Sequence, residues 1–492
     1  MSLFLACSSD PPVFRETPPV IESVSTATPL LEGSELRVLG LRFDALGPNP
    51  ALDVEGVRLE LVESPAPGEL VYQASRELIA NLDVGENQVV LRLRGFIDSE
   101  DFPITVQMAR DLPVSLAAFP GGDVHHNDLV VIEGGGFLAS TEGTVIAEFE
   151  GMFTPDGEAA RPVNASLPVT QLDRGNRDRG VLRMTTAISG LAIGSFDGSV
   201  TLRSQPVGGA ESESDSLPLQ LRFVRPELFA VMPTTASLGQ IFTVGGAGFL
   251  GGPDEPDEAT IFRIEGTFTP EGRSPVPVPP TDLVLQWISG SEVAGFIRFE
   301  ERQNRLISSV FRAAEGRFEG FGTPVVVKGV QELAGEARTF DFTLAPIKQV
   351  VFLRFVTPFY DSLTRFGLAA SAGIIEGLVQ ERMERIYSDW EVEIRLEEPR
   401  DFVRDGYAIL EIGGPDLNGF GLFGYDNTPG KDVGNVRLGD SIGGANAETL
   451  EDNSPGYGGV FVESMLYFSS HPDLPGPVPA GAPDPDPLFD EI

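Results

Sequence analysis

Over most of its length the chain alternates apolar and polar positions in short runs, each cut by glycine, proline, aspartate or asparagine. This two-residue period with frequent turn residues predicts strands, because successive side chains on a strand face opposite sides of a sheet. Three runs align: Gly33-Ser-Glu-Leu-Arg-Val-Leu-Gly-Leu-Arg-Phe43, Asn127-Asp-Leu-Val-Val-Ile-Glu-Gly-Gly-Gly-Phe137 and Gly239-Gln-Ile-Phe-Thr-Val-Gly-Gly-Ala-Gly-Phe249. Each opens on a turn residue, alternates through apolar positions, and closes on glycine followed at a fixed offset by phenylalanine. A proline-led strand starts before each, at Pro19, Pro113 and Pro226, and the interval from proline to phenylalanine is 24, 24 and 23 residues. The spacing predicts one structural unit used three times. Its run buries one apolar face against a second sheet, its glycines allow a bulge or a positive φ, and its phenylalanine anchors the core.

A second match links the latter two units, Glu148-Phe-Glu-Gly-Met-Phe-Thr-Pro-Asp-Gly157 and Arg263-Ile-Glu-Gly-Thr-Phe-Thr-Pro-Glu-Gly272. Over roughly residues 18–345 the chain resembles the IPT/TIG family of Ig-like domains, which commonly start with a proline-led strand, a glycine turn and a strand ending in Gly-x-Gly-Phe. The first copy departs most from that pattern, with Leu39-Gly40-Leu41-Arg42-Phe43 in place of the glycine cluster. The resemblance implies tandem Ig-like β-sandwiches. Gly134-Gly135-Gly136 and Gly245-Gly246-Ala247-Gly248 are not read as phosphate loops. Such a loop must open a helix, and these clusters run into sequence rich in Asp, Glu, Gly and Pro.

From Gln349 the pattern changes. Val350–Val356 is a short apolar run suited to a buried strand. Asp361 is a plausible N-cap for one long helix from Ser362 to about Tyr387, with an apolar stripe at Leu363, Phe366, Ala370, Ile374, Leu378, Val379, Met383 and Ile386. Gly367, Gly373 and Gly377 fall inside that span, each costing about 1 kcal/mol against alanine, and close helix–sheet packing is the expected reason for them. Strands follow at Glu391–Glu397 and Tyr407–Ile412. This order resembles the N-terminal half of a metzincin-like zinc peptidase domain, as do the glycine-rich segments Gly419–Asp426, Asn435–Asp440 and Gly458–Glu463. In that family zinc sits on a later His-Glu-x-x-His helix. The motif is absent here, and His125, His126 and His471 are the only histidines.

Composition narrows the function. Lys+Arg 35 against Asp+Glu 73 gives a net charge of −38, a field that repels nucleic acid. One cysteine excludes internal disulfides and cysteine-based metal clusters. That residue, Cys7, stands in Leu3-Phe4-Leu5-Ala6-Cys7-Ser8-Ser9, which resembles a bacterial lipobox, and the proline-rich stretch after it reads as a tether. Only six residues precede Cys7, fewer than a secretory leader needs, so a displaced start or a trimmed leader is expected. Asp416, Asn418, Asp426, Asp432 and Asp440, with Asn427 and Asn435, crowd a glycine-rich segment. Oxygen ligands of that kind make calcium the candidate cofactor, against the plainer reading of loop-forming Asx chemistry. His125-His126 is read as a solvated turn, since neighbours on a strand point to opposite faces.

The fold class expected is mainly β: three tandem Ig-like β-sandwich domains followed by a smaller α/β domain with one long helix. The divisions are residues 1–17 (lipobox and tether), 18–111, 112–224 and 225–346 (Ig-like domains), 347–470 (α/β module) and 471–492 (acidic proline-rich tail). Two functions stay open. One is an extracytoplasmic, lipid-anchored surface protein of a Gram-negative bacterium, with no complete catalytic site, whose modules act as spacers or bind a protein or carbohydrate ligand. The other is a truncated zinc metallopeptidase lacking its His-Glu-x-x-His helix, the proline- and aspartate-rich end being either a break-point or a plain acidic tail.

Overall fold

A computed structural model describes residues 17–464 except 238, 254, 297–314, 347, 404–405, 417–418, 426–440 and 443–458. The chain divides into two compact units that meet in sequence at Arg225 and Pro226. The fold is mainly β, as expected, with Ig-like sandwiches followed by an α/β module. No described helix is long and apolar enough to cross a membrane.

In the first unit, a sheet of Val20–Thr26, Glu35–Leu41, Glu69–Gln73 and Leu61–Ala66 packs against one of Val57–Leu59, Ala51–Val54, Gly85–Arg94 and Phe102–Met108. Leu36, Val38, Leu52, Tyr72, Leu91 and Leu93 are buried between them. The next sandwich is one continuous nine-stranded sheet wrapped around Phe137, Phe149, Phe153, Phe196 and Phe223. Its centre is the pair Gly143–Pro155 and Gly194–Pro206, antiparallel over thirteen residues each. In the second unit the strands Glu258–Pro270 and Gly316–Lys328 pair in the same way. Both pairs set glycine opposite glycine, Gly151 to Gly198 and Gly266 to Gly320, beside the buried pairs Phe153–Phe196 and Phe268–Phe318. That accounts for the second sequence match.

The threefold repeat has a common geometry. Gly33, Asn127 and Gly239, which open the runs, all take positive φ (86°, 64° and 81°). Each run pairs with its proline-led strand across a register shift. Three residues before the phenylalanine stands a glycine, Gly40, Gly134 or Gly246, whose added Cβ would lie 2.0, 2.0 or 2.1 Å from a carbonyl of that strand. The residue just before the phenylalanine is left-handed again: Arg42 at 61°, Gly136 at 76° and Gly248 at 77°. The phenylalanines themselves are buried. The first copy therefore keeps the glycine that close approach demands and gives up the one that conformation prefers. A non-glycine residue in this region costs about 1–2 kcal/mol. Arg42→Gly is expected to stabilise the first sandwich by up to about 1 kcal/mol in denaturant titration, after the lost Arg42 Nε–Pro18 O hydrogen bond (3.0 Å) and glycine's unfolded-state entropy are counted.

The α/β module carries a sheet in the order Val392–Arg395, Gln349–Phe355, Ala408–Gly413, Gly459–Phe461 and Gly424–Tyr425, parallel except for the last strand. The strands lie where the sequence places them, and the one long helix is present as Ala372–Ile386, but its expected bounds are corrected: a separate shorter helix, Thr357–Arg365, precedes it and is joined to it through a turn at Ala369–Ser371. Asp361 lies inside the first helix and is not its cap. Gly367, at φ 74°, closes that helix: Leu368 N donates to Leu363 O and Gly367 N to Thr364 O, a Schellman ending that satisfies the last carbonyls. The break resets the helical phase, so Ala372, Ile375, Val379 and Met383 face the core while Ile374, Leu378 and Ile386 are exposed. Close packing does not explain Gly373 and Gly377. Beyond the chain neighbours and the helix's own backbone, no described atom lies within 4 Å of a Cβ built at either.

Candidate functional site

The densest buried polar network among the described residues lies where the first two sandwiches meet. Glu142 ends the loop that follows Phe137, and Arg177 sits in the turn between the strands Arg161–Gln171 and Arg179–Arg183. Their side chains are 1% and 5% exposed. The guanidinium holds the carboxylate with two parallel bonds, Nη1 to Oε2 and Nη2 to Oε1, both 2.8 Å. It also donates to Phe137 O at 3.2 Å and, across the junction, to Pro29 O at 2.8 Å. From the first sandwich Ser34 Oγ donates to Glu142 Oε1, and Ala139 N completes the carboxylate's set at 3.0 Å. Ser34 Oγ in turn accepts from Leu31 N at 2.8 Å.

Packing reinforces this lock. Leu31, from the first sandwich's loop, is buried in the second sandwich's core. Gly33 passes so close to the second sandwich that an added Cβ would stand 1.9 Å from Thr141 O. A buried ion pair gains little over an apolar pair of equal shape, because both charges must be desolvated. What it contributes here is direction: the fork fixes Glu142 and Arg177 within the second sandwich, so that the bonds they make to Ser34 and Pro29 O fit one placement of the first. Beside the lock opens a cleft of about 310 Å³ with walls from both sandwiches. In the second unit a smaller junction ties the third sandwich to the α/β module. Ile241 N donates to Asp401 O (2.8 Å) and Val403 N to Gly239 O (3.1 Å). Burial pushes the Asp401 carboxyl up, but the Arg395 guanidinium forked onto it outweighs that and holds it below the usual carboxylate range.

Of the residues singled out by sequence, Cys7, Asn418, Asp426, Asp432 and Asp440 lie outside the described residues, as do Asn427 and Asn435. Asp416 is described. Its Oδ2 accepts from Phe420 N (3.0 Å) and Leu422 N (2.9 Å), and its carbonyl from Gly419 N (3.1 Å), which is loop-closing Asx geometry. Among the described residues no group of three or more His, Cys, Asp or Glu could hold a metal ion. The solvated reading of the histidines is corrected. The turn is present, with Asp128 N donating to His125 O, but His126 is 1% exposed, with Nε2 2.8 Å from Ser189 Oγ and its ring 5.4 Å from that of Phe223. Positive φ at Asn127 folds the segment inward. Sequence reasoning missed Glu142, Arg177 and Ser34 altogether. Two charged residues thirty-five apart in loops carry no periodic signal, and their neighbours Gly33 and Phe137 stood out only as a turn and a core anchor.

No family model matches the chain, and no curated protein matches it. Among solved structures it is similar to the chicken CNTN1 FN1–FN3 domains, at 11% identity and a TM-score of 0.18, over 66% of this chain and 98% of that one. It is also similar to SGBP-B from a complex xyloglucan utilization locus in Bacteroides uniformis, at 13% identity and a TM-score of 0.21, over 67% and 100% of the two chains. A third is the Bacteroides ovatus mixed-linkage glucan utilization locus SGBP-B in complex with a mixed-linkage heptasaccharide, at 12% identity and a TM-score of 0.17, over 60% of each chain.

Proposed function

We propose that the chain is an extracytoplasmic surface protein of a Gram-negative bacterium, tethered by lipid at Cys7. Its Ig-like modules serve as a rigid spacer and binding unit, divided near residues 111, 224 and 346. The observation that carries this reading is the Glu142–Arg177 lock, which turns two sandwiches into one body. Independent binding modules on a flexible string have no use for buried hydrogen bonds across their junction, from Ser34 to Glu142 and from Arg177 to Pro29 O, whereas a strut that must hold its load at a fixed attitude does. The strong net negative charge suits a surface that stays clear of anionic headgroups while a lipid chain does the anchoring. Cell fractionation in the native host tests the anchor. The wild-type protein is expected in the membrane fraction and Cys7→Ser in the soluble one; equal membrane retention of both would contradict it.

The α/β module supports a second reading, part of a zinc peptidase domain, through its order of strand, helix, strand, strand. His125 and His126 stand in the first unit, with His126 committed to Ser189 and Gly190. Because the second reading takes the chain to lack its His-Glu-x-x-His helix, a proteolysis assay of this chain is expected to be negative on both readings; a His-Glu-x-x-His within about a hundred in-frame codons of genomic DNA past codon 492 would favour the second over the first.

A further inference from the structure

The cleft beside the lock has a composition that selects a ligand class, given the reading of the modules as binding units. One wall is the outward face of the strands Val20–Thr26 and Glu35–Leu41, with Ser25, Glu35 and Arg37; the other, from the second sandwich, presents Ser140, Gln171 and Arg174. Of its lining side chains only Ala27 and Ala139 are wholly apolar, and polar groups alternate with aliphatic stems along the rest, a mixed surface of the kind that a sugar ring also presents. Its charges cancel locally: Arg174 faces Glu35 at 3.5 Å, Arg37 is paired with Glu69, and Glu142 is taken by Arg177. A charged ligand would find no surplus counter-charge. What remains is a wall dense in hydroxyl, amide, guanidinium and carboxylate groups, offering donors and acceptors side by side. Two further hydroxyls, Thr26 Oγ1 and Thr141 Oγ1, are buried within these walls with no partner among the described residues. The volume of about 310 Å³ holds about ten waters, which is room for a sugar ring and its hydroxyls.

We propose that this cleft binds a neutral saccharide through one ring, with Gln171, Arg174 and Glu35 hydrogen-bonding its hydroxyls. The lock holds both walls in place beforehand, so binding does not have to order them. Without an aromatic face to stack on, affinity for a single unit is weak, on the order of 1 mM. The experiment is saturation-transfer NMR on the full chain with glucose, galactose, N-acetylglucosamine and their disaccharides, using glucuronate and trialanine as controls. At least one neutral sugar is expected to show transfer, reduced tenfold or more in the Gln171→Ala, Arg174→Ala double variant, whose melting temperature stays at the wild-type value. Silence across the neutral panel, transfer indifferent to the double variant, or a preference for glucuronate or trialanine would each overturn the proposal. The spacer reading stands or falls separately, on membrane retention and on the rigidity of the junction, since neither half-buried Gln171 nor exposed Arg174 belongs to the Glu142–Arg177 fork or to its bonds with Ser34 and Pro29.

Discussion

Arg177→Met is expected to cost the first unit about 3–5 kcal/mol, because it strands the Glu142 carboxylate in a site only 1% exposed and removes the donors to Pro29 O and Phe137 O at once. The loss should have a shape as well as a size. With the lock intact the first two sandwiches share a network and a core residue, Leu31, and are expected to unfold together. Without it the calorimetric transition of the first unit should split in two. Glu142→Leu on the Arg177→Met background should recover part of the loss, since the uncompensated charge is then gone while the unpaired carbonyls remain. A cost below about 1 kcal/mol with an unsplit transition would mean that the pair is a bystander.

The second large effect separates two adjacent glycines in one cluster. At Gly246 a Cβ would stand 2.1 Å from Glu227 O and 2.4 Å from the Phe249 ring, whereas at Gly245 the nearest atom is Ala230 O at 3.9 Å. Gly246→Ala must therefore push the strand Ile241–Ala247 away from Glu227–Met232 or displace the buried phenylalanine, at about 3 kcal/mol or more. Gly245→Ala meets open space in extended backbone and should change stability by less than about 0.5 kcal/mol, with strand propensity in its favour. Denaturant midpoints of the two variants give the comparison, and equal effects would sink the steric account.

The contrast between those two predictions marks what a sequence can disclose. Gly40, Gly134 and Gly246 were legible because the constraint on each is local: a neighbouring strand, a bulge and a phenylalanine three residues away, all within one repeating unit. The alternating strands of the α/β module were legible for the same reason. The start of the helix was misplaced where a single dihedral intervened, since Gly367 at positive φ ends one helix before the long one begins, which leaves Ile374 and Leu378 exposed and packs Ile375 beside Val379 and Met383. The lock was invisible because its parts, Pro29, Ser34, Glu142 and Arg177, are unremarkable in their own segments and acquire meaning only when two sandwiches are placed side by side. His126 misled for a related reason: its burial depends on Ser189 and Phe223, far along the chain.

The central claim, that the first two sandwiches form one rigid body, is tested most directly by a distance measured across their junction. Spin labels at Glu60→Cys and Glu158→Cys, both exposed, on a Cys7→Ser background report that distance by double electron–electron resonance. A single narrow distribution that broadens with Arg177→Met is the predicted result; a broad or multimodal distribution with the lock intact would contradict it.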